Sequence, residues 1–520
     1  MVPTSVAVPA FSPWSECASS TSWPGLKPSL VYSALYILAA LVEIVPKQHA
    51  VFHTIWLPGG VAVGAMIFCG YWMLPFIFVA HVVTRWATGY GMETVLQSAG
   101  MATVQAALAY WLLKRVRFDP ALRTVRDAMV LVTCSAVIPC LAGSAPAYLL
   151  HSITDTNYSQ SFFRFSLVYS MRGAAGVVAT LPLVLAFAPG RRAPWLPSRT
   201  IEFVAALVLT TVAAVAIFFN PSTVGQKYYP CSFLPYPFLV WAALRLGLPG
   251  VSACILITTI CAVQGTAVGR GPFLPGHDLT EIVIVWVYIW ISAITSLLLC
   301  VSREERRELE AMLIEAGERE RIRLGTELHD DICQQLAGVG YIGGLLRERP
   351  NLVSLEAHPY VAHICSEIQS CIQSMRNLAR GLSPLGIGTK HLSVALTDLA
   401  ALCESIYRID CRFVSVGPLP TLDSEATTHL FRIAQESVSN SVKHGRARIV
   451  SVLAGIEAGC LNLSITDDGL GLPEEATDRN GLGFKTMAYR AELMNGSFSV
   501  QNRQGTSGVV VACSIPLPRS

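Results

Sequence analysis

Three residues in this chain have the types and spacing to handle a phosphoryl group: His329, Asp330 and Gln334. Asp330 is next to the imidazole, and Gln334 follows Asp330 by four residues, one turn of an α-helix. A lone histidine at the edge of a helix is more often an ordinary surface residue. Here the whole string ELHDDICQQL surrounds it. A second set comprises Glu436, Asn440, Lys443 and His444, at intervals of four, three and one, which places them on neighbouring faces of one helix. An Asn amide oxygen is a ligand for hard Mg²⁺, and Lys neutralises phosphate charge. Taken alone, that set is a polar helix face. A third set is Asp467-Asp468-Gly469-Leu470-Gly471, at the end of an alternating strand, followed by Gly481-Leu482-Gly483 and Gly505-Thr506. Glycine lets backbone approach a ligand closely, but DDGLG alone is also a turn and a lone GxG is weak.

The elements that must hold these residues can be read from periodicity. Leu324, Leu328, Ile332, Leu336, Val339, Ile342 and Leu346 recur every three or four residues and predict an amphipathic helix, with His329 at the edge of the apolar stripe. After Pro350, a second helix carries Val361, Ile364, Ile368, Cys371, Met375, Leu378 and Leu382 at the same spacing, ending near Gly381 and Pro384. Two such helices cannot bury both stripes alone, so pairing with a second copy into a four-helix bundle is expected. Residues 392–520 predict an α/β domain: a helix, strand CRFVSV, the helix bearing Asn440, strands RIVSVLAGIE and CLNLSITDDG, a Gly-rich loop, helix TMAYRAELMN, and strands SFSVQN and GVVVACSIP.

The first half has a different composition. The chain is 52% hydrophobic and 14% charged, with mean hydropathy +0.49, and its charge concentrates after residue 302. Ten apolar stretches are candidate spans: roughly 30–46, 54–69, 71–87, 94–114, 127–150, 165–188, 201–219, 232–247, 249–267 and 279–301. The second, third and eighth are short or broken by Pro and Gly, which leaves eight spans as the alternative. Arg and Lys cluster at 114–126, at 191–199 and after 302, all on one side for ten spans, and the positive-inside rule makes that side cytoplasmic. Trp56, Trp72, Trp86, Trp111 and Tyr229 suit an aromatic belt. Arg172 lies well inside a span, with Glu43 and Glu281 nearer span ends. Residues 1–29 predict a tail and no cleaved signal peptide. Interleaved Glu and Arg over 302–323 predict that the last span continues as a helix able to pair as a short coiled coil. The net charge of +3, with no dense basic run, argues against direct nucleic-acid binding. Fifteen scattered cysteines without CxxC read as reduced and mostly buried.

These motifs resemble those of known families. ELHDDICQQL is similar to the phospho-acceptor segment of sensor histidine kinases, in the HisKA_3 subfamily with His-Asp-x-x-x-Gln. WLPGGVAVGAMIFCG at 56–70 and PFLVWAALRLGLPG at 237–250 resemble the MASE1 membrane sensor domain. Residues 436–444 match the N-box ExxxNxxKH of GHKL ATPases, and the order DxGxG, GLG and GT matches the same fold. There is no GxxxxGK[ST] loop and no phenylalanine box. The expected organisation is a tail (1–29), a MASE1-like membrane domain (30–301), a signalling helix (302–323), a dimerisation and phosphotransfer domain (324–386) and an ATP-binding domain (392–520). The expected fold class is a polytopic all-α membrane domain, a helical hairpin forming a dimeric four-helix bundle, and a GHKL α/β sandwich.

The resemblance implies a bacterial inner-membrane, multi-pass protein whose kinase domains are cytoplasmic and whose substrate is Mg²⁺·ATP. It makes His329 the phospho-acceptor, Asp330 its base and Gln334 the residue that positions water for phosphatase action. Asn440 becomes the Mg²⁺ ligand, while Lys443 and His444 contact phosphates. Asp467 accepts from the adenine amino group, and Glu436, Gly469, Gly471, Gly481, Gly483 and Thr506 complete the ATP site. Met487 and Arg490 stand at the subfamily's spacing, and 475–485 is expected to be a mobile lid. The implied partners are a second copy, a response regulator with a LuxR/NarL-type DNA-binding output domain, and a membrane-protein sensor as one route for the stimulus. Two other readings compete. A degenerate scaffold would lack His329, Asn440 or Asp467, and all are present. A transporter with a regulatory tail would show inverted repeats and a polar path across the spans.

Overall fold

The computed structural model describes residues 26–42, 55–154, 161–187, 197–221, 226–273, 279–348, 358–382, 391–472 and 482–517. The chain divides into two units, 1–308 and 309–520.

The first unit is helical. Its elements are α1 (Leu26–Leu41), α2 (Pro58–Cys69), α3 (Leu74–Ala87), α4 (Met92–Arg115), α5 (Val125–Val130), α6 (Ile138–Thr154), α7 (Phe162–Ala186), α8 (Pro197–Phe218), α9 (Tyr236–Arg245), α10 (Gly247–Ala267) and the start of α11 (Leu279–Glu327). Six helical segments among the described residues are long and apolar enough to cross a membrane. Of the expected spans, α1 and α9 have only 16 and 10 residues. One of the six, Pro58–Ala87, is not a straight rod. Gly70 adopts φ +68° and a 3-10 turn, Gly70–Met73, separates α2 from α3. Beyond that turn the chain reverses, because the Arg85 guanidinium carbon near the end of α3 lies 4.6 Å from the centroid of the Trp56 ring, just before α2. Side chains such as Val104, Ile201 and Val212 point outward into the surroundings, as lipid-facing positions do.

Small residues set how closely these helices pack. A Cβ on Gly60 of α2 would overlap the Thr180 hydroxyl of α7, and one on Gly176 of α7 would overlap the Trp56 carbonyl. This is the small-residue contact that lets membrane helices approach. Trp56 itself is only 8% exposed, so it leaves the expected aromatic belt, whereas Trp72, Trp86 and Trp111 are exposed. Arg172 lies on α7 and Arg245 pairs with Glu202 at 2.7 Å. Glu43 lies outside the described residues, as does the side chain of Glu281. The described cysteines are all free.

The α4–α5 connection and α11 meet at one end of this unit. Thr124 caps α5 by accepting from the Asp127 N–H. The Val125 N–H, in the first turn of α5, donates to the Glu305 carboxylate at 3.0 Å, and Arg123 lies 3.8 Å from Glu308. The basic segments at 114–126 and 303–307 therefore lie on the same side. From there α11 runs on as one 49-residue helix, the continuation that the charge pattern of 302–323 predicts.

The second unit opens with a π-helical turn, Leu328–Ile332, followed by α12 (Cys333–Glu348) and α13 (His358–Leu382). Cys333 and Cys365 are both buried, and the helices approach closely at Gly343, where a Cβ would come within 2.7 Å of the Cys365 sulfur. Val339, Tyr341, Ile342 and Ile364 stay more than half exposed, which leaves an apolar face uncovered. The α/β part comprises α14 (Leu392–Tyr407), β1 (Asp410–Val416), α15 (Ser424–Lys443), β2 (Ile449–Glu457), β3 (Cys460–Asp467), α16 (Leu482–Leu493), β4 (Ser497–Asn502) and β5 (Val509–Pro516). The sheet order is β1-β2-β3-β5-β4, with β1 parallel to β2 and the other pairs antiparallel. Alternation along β3 buries Leu461, Leu463, Ile465 and Asp467 on one face. Leu461, Leu463 and Ile465 join a core with Leu396 of α14, Leu430 and Ile433 of α15 and Met487 of α16, so the helices cover that face of a mixed sheet.

Candidate functional site

Period-2 alternation carries β3 to Asp467, whose carboxylate therefore points inward at the strand end, only 4% exposed. A buried carboxylate must be hydrogen-bonded. Its Oδ1 accepts from the Gly469 N–H at 2.9 Å and the Val509 N–H at 3.1 Å, and its Oδ2 accepts from the Ser441 hydroxyl at 2.7 Å. The Arg503 guanidinium donates to the Asp467 carbonyl at 3.2 Å. Ser441, Asn502 and Arg503 were not singled out by the sequence motifs, and Ser441 becomes visible only once α15 is laid over the end of β3.

Two glycines beside Asp467 are there for room. A Cβ on Gly469 would come within 2.5 Å of the Gly445 carbonyl, and one on Gly508 would overlap the Asp467 carbonyl. Gly471 adopts φ +81°, which favours glycine. Asn502 then clamps the next residue, its Oδ1 accepting from the Leu472 N–H at 2.6 Å and its Nδ2 donating to the Leu472 carbonyl at 3.2 Å. Asp468 has a different task. It accepts from the N–H groups of Ile449 and Arg448 at 2.9 and 2.8 Å, pinning the start of β2. Those bonds, led by the one from Ile449, hold its carboxyl below the ordinary Asp value.

The polar face of α15 comes to the same edge. Its N-terminus is capped by Asp423, which accepts from the Ala426 N–H at 2.6 Å. A Cβ on Gly483 would stand 2.8 Å from Glu436 Oε1 and 3.4 Å from Asn440 Nδ2, so Glu436 and Asn440 face the first turn of α16. Both are half-buried, while Lys443 and His444 are exposed at the helix end and Thr506 is exposed before β5. Met487 is buried and its sulfur accepts from the Ser437 hydroxyl at 3.3 Å. Arg490 packs against His429, 3.4 Å away. Gly481, and residues 475–481 of the expected lid, lie outside the described residues. The structure thus brings Glu436, Asn440, Asp467, Gly469 and Gly483 to one edge: an inward acceptor, an amide and a carboxylate, and backbone free of Cβ atoms. That donor set fits a nucleotide with a hard cation.

His329 and Asp330 lie in the π-helical turn, and their side chains are outside the described residues. Gln334 is exposed in the first turn of α12. The expected α-helical register between Asp330 and Gln334 is altered here. A π-turn bonds i to i+5, so four residues fall short of a full turn.

Comparisons with known proteins cover both halves of the chain. Residues 29–307, more than half of the chain, match the family model MASE1. Residues 320–386 match HisKA_3, described as histidine kinase, and residues 425–519 match the histidine kinase-, DNA gyrase B- and HSP90-like ATPase family. Sensor histidine kinase MctS of Rhizobium johnstonii is 27% identical over 213 residues, 40% of this chain and 46% of that protein. Oxygen sensor histidine kinase NreB of Staphylococcus carnosus is 28% identical over 222 residues, 42% of this chain and 63% of that one. The chain thus spans about half to three-fifths of these relatives. Among solved structures, the histidine kinase domain from the Erythrobacter litoralis EL346 blue-light activated histidine kinase matches at 20% identity and a TM-score of 0.24, over 37% of this chain and 96% of that one.

Proposed function

The chain belongs to the MASE1 family, and from that premise we propose that it is a membrane-embedded sensor histidine kinase of a two-component system. The observation that carries the proposal is the edge formed by Asp467, Gly469, Glu436, Asn440 and Gly483 in a region matching histidine-kinase ATPases.

ATP is the substrate. Asp467 accepts from its adenine amino group, with Ser441 and two backbone N–H groups holding the carboxylate still. Lys443 and His444, exposed at the end of α15, neutralise phosphate charge. Asn440 would hold Mg²⁺, which when bound offsets charge on the transferring phosphoryl group, and Glu436 stands beside it in the ATP site. Gly469, Gly471, Gly481, Gly483 and Thr506 let backbone close on the nucleotide. A ring nitrogen of His329 attacks the γ-phosphorus as Asp330 takes the imidazole proton. A P–N bond forms, the bond to the bridging oxygen breaks, and ADP leaves with the electron pair. The phosphoryl group then passes to an aspartate carboxylate of a response regulator, one with a LuxR/NarL-type DNA-binding domain. Gln334 orients water against that phospho-aspartate; hydrolysis releases inorganic phosphate and restores the carboxylate, a separate phosphatase activity.

The exposed apolar face of α12 and α13 pairs with a second copy, supporting a homodimeric four-helix bundle. The shared side of segments 114–126 and 303–307 supports an orientation with those basic stretches in the cytoplasm of a bacterial inner-membrane protein.

The test is autophosphorylation of the full chain in lipid nanodiscs with γ-labelled ATP. The adduct should be acid-labile and base-stable, and His329→Gln should abolish it. Label that persists in that variant overturns the assignment of His329.

A further inference from the structure

The loop that follows Asp467 is supported from two sides, and one of the two belongs to no sequence motif. Asp467 ends β3, and residues 468–472 lead away from it. The first support is the turn after α15 and the start of β2. There the Leu470 N–H donates to the Gly445 carbonyl at 2.9 Å, and the Asp468 N–H donates to the Ile449 carbonyl at 3.3 Å. The second support comes from two consecutive residues at the end of β4, Asn502 and Arg503.

β4 is the outermost strand, with β5 between it and β3. Asn502 pairs with Val509 on β5, and the neighbouring Val510 pairs with Thr466 on β3. Two strand spacings are about 10 Å, so the loop must fold across the start of β5 for β4 to touch it. It is touched at both ends. The Arg503 guanidinium donates to the Asp467 carbonyl at 3.2 Å. Asn502 meets the backbone of Leu472 as a second peptide would, accepting from its N–H at 2.6 Å and donating to its carbonyl at 3.2 Å. A Cβ on Gly471 would stand 3.1 Å from the same Asn502 oxygen, so a glycine keeps that approach open. The Arg503 N–H also closes the β4–β5 connection on the Gly508 carbonyl at 3.0 Å. The next residue, Val509, supplies one of the N–H donors to Asp467 Oδ1.

Among the described residues, the side-chain bonds of Asn502 and Arg503 all go to backbone of this one loop. Asp467 Oδ1 takes its other bond from the Gly469 N–H, inside the loop. A loop that drifts therefore lets the carboxylate swing.

We propose that Asn502 and Arg503 are positioning residues of the nucleotide site: they brace the 467–472 loop from β4 and so keep the Asp467 carboxylate in line with the adenine amino group. This rests on the reading of the edge as an ATP site. The adenine end is remote from the bond that breaks, so the brace acts alike on bound ATP and on the transition state. It sets KM and leaves kcat.

The experiment measures autophosphorylation by the full chain in lipid nanodiscs, with the affinity for a non-hydrolysable ATP analogue measured alongside. Inosine triphosphate, which carries a carbonyl oxygen in place of the amino group, is the second substrate. Asn502→Ala and Arg503→Met should each raise KM for ATP about tenfold, as the loss of one or two hydrogen bonds does. In both, kcat should stay within about twofold of wild type. KM for inosine triphosphate should not rise, because Asp467 has no amino group there to accept from. Arg503→Lys, whose ammonium can still donate to the Asp467 carbonyl, should recover most of the ATP affinity. A general loosening of the domain would instead raise both KM values together and lower the unfolding temperature. Equal rises for the two nucleotides, an ATP KM within about twofold of wild type in both variants, or no recovery with lysine overturns the proposal. Should Arg503→Met fail to fold, Asn502→Ala, at an exposed position, decides. A wild-type chain that binds the analogue but forms no adduct refutes the kinase reading and leaves the affinity ratios to decide the brace. A wild-type chain that binds no ATP refutes both.

Discussion

Asp467→Asn separates nucleotide recognition from folding. The amide keeps the shape of the carboxylate, and its oxygen can still accept from the Gly469 and Val509 N–H groups. Its NH₂ then faces Ser441, whose hydroxyl has a second acceptor in the Ser437 carbonyl at 3.0 Å. The Ser441 proton turns to Ser437 and its oxygen accepts from the new amide, so no buried group is left unpaired. The fold should lose little. Nucleotide binding should lose much more, because under the proposed role of Asp467 a donor would meet the adenine amino group in place of a charged acceptor. A hydrogen bond to a charged group contributes about 1.5–3 kcal/mol. At about 1.4 kcal/mol per decade, ATP affinity should fall between about tenfold and a hundredfold. The same donor suits the carbonyl oxygen of guanine, so the preference for ATP over GTP should narrow. Calorimetric titration of the full chain with a non-hydrolysable ATP analogue reads the loss, and thermal unfolding reads the fold. An ATP affinity within about threefold of wild type would refute the role given to Asp467. A large drop in unfolding temperature would refute the rearrangement at Ser441.

Gly176→Ala should destabilise the membrane unit by about 1–3 kcal/mol, the usual cost of overpacking, because the new methyl overlaps the Trp56 carbonyl. Gly100→Ala, with open space at its Cβ, is the control, and equal unfolding temperatures for the two would contradict the packing argument. Asp468→Asn tests a pH dependence. Its folded carboxyl is held below the 3.8 of an unperturbed Asp, so its contribution is present above that value and lost as pH falls through the lower, folded one. The stability difference between wild type and variant should be constant near neutrality and shrink in acid, and a gap that persists at the lowest pH counts against it. Gln334→Ala should autophosphorylate and transfer normally but dephosphorylate the regulator slowly. Decay of purified phospho-regulator at the wild-type rate would leave Gln334 without that role.

The α/β half was legible because its determinants are local. Leu461, Leu463 and Ile465 alternate and so bring Asp467 to the buried face, and the ExxxNxxKH spacing places Glu436 and Asn440 on one helix. Ser441 was missed because a serine inside a helix has no pattern of its own, and its partner is 26 residues away. The same applies to Asn502 and Arg503. In the membrane half, apolar runs located most helices but not their paths. Trp56 looked like a belt residue until the reversal at Gly70 brought Arg85 over it. The π-helical turns at Leu131–Val137 and Leu328–Ile332 have no residue signature, since only the backbone bonding differs from that of an α-helix.

The grip of the α4–α5 connection on Glu305 and Glu308 limits how α11 can move. In a helix, a shift of one residue is a rise of about 1.5 Å with a turn of about 100°. Either motion takes Glu305 away from the Val125 N–H unless α5 travels with it. The contacts are weak enough to yield: both side chains of the Arg123–Glu308 pair are more than a third exposed, and such pairs contribute ~0–1 kcal/mol. The connection therefore acts as a detent. It fixes the axial and angular setting of α11 through contacts that each contribute little.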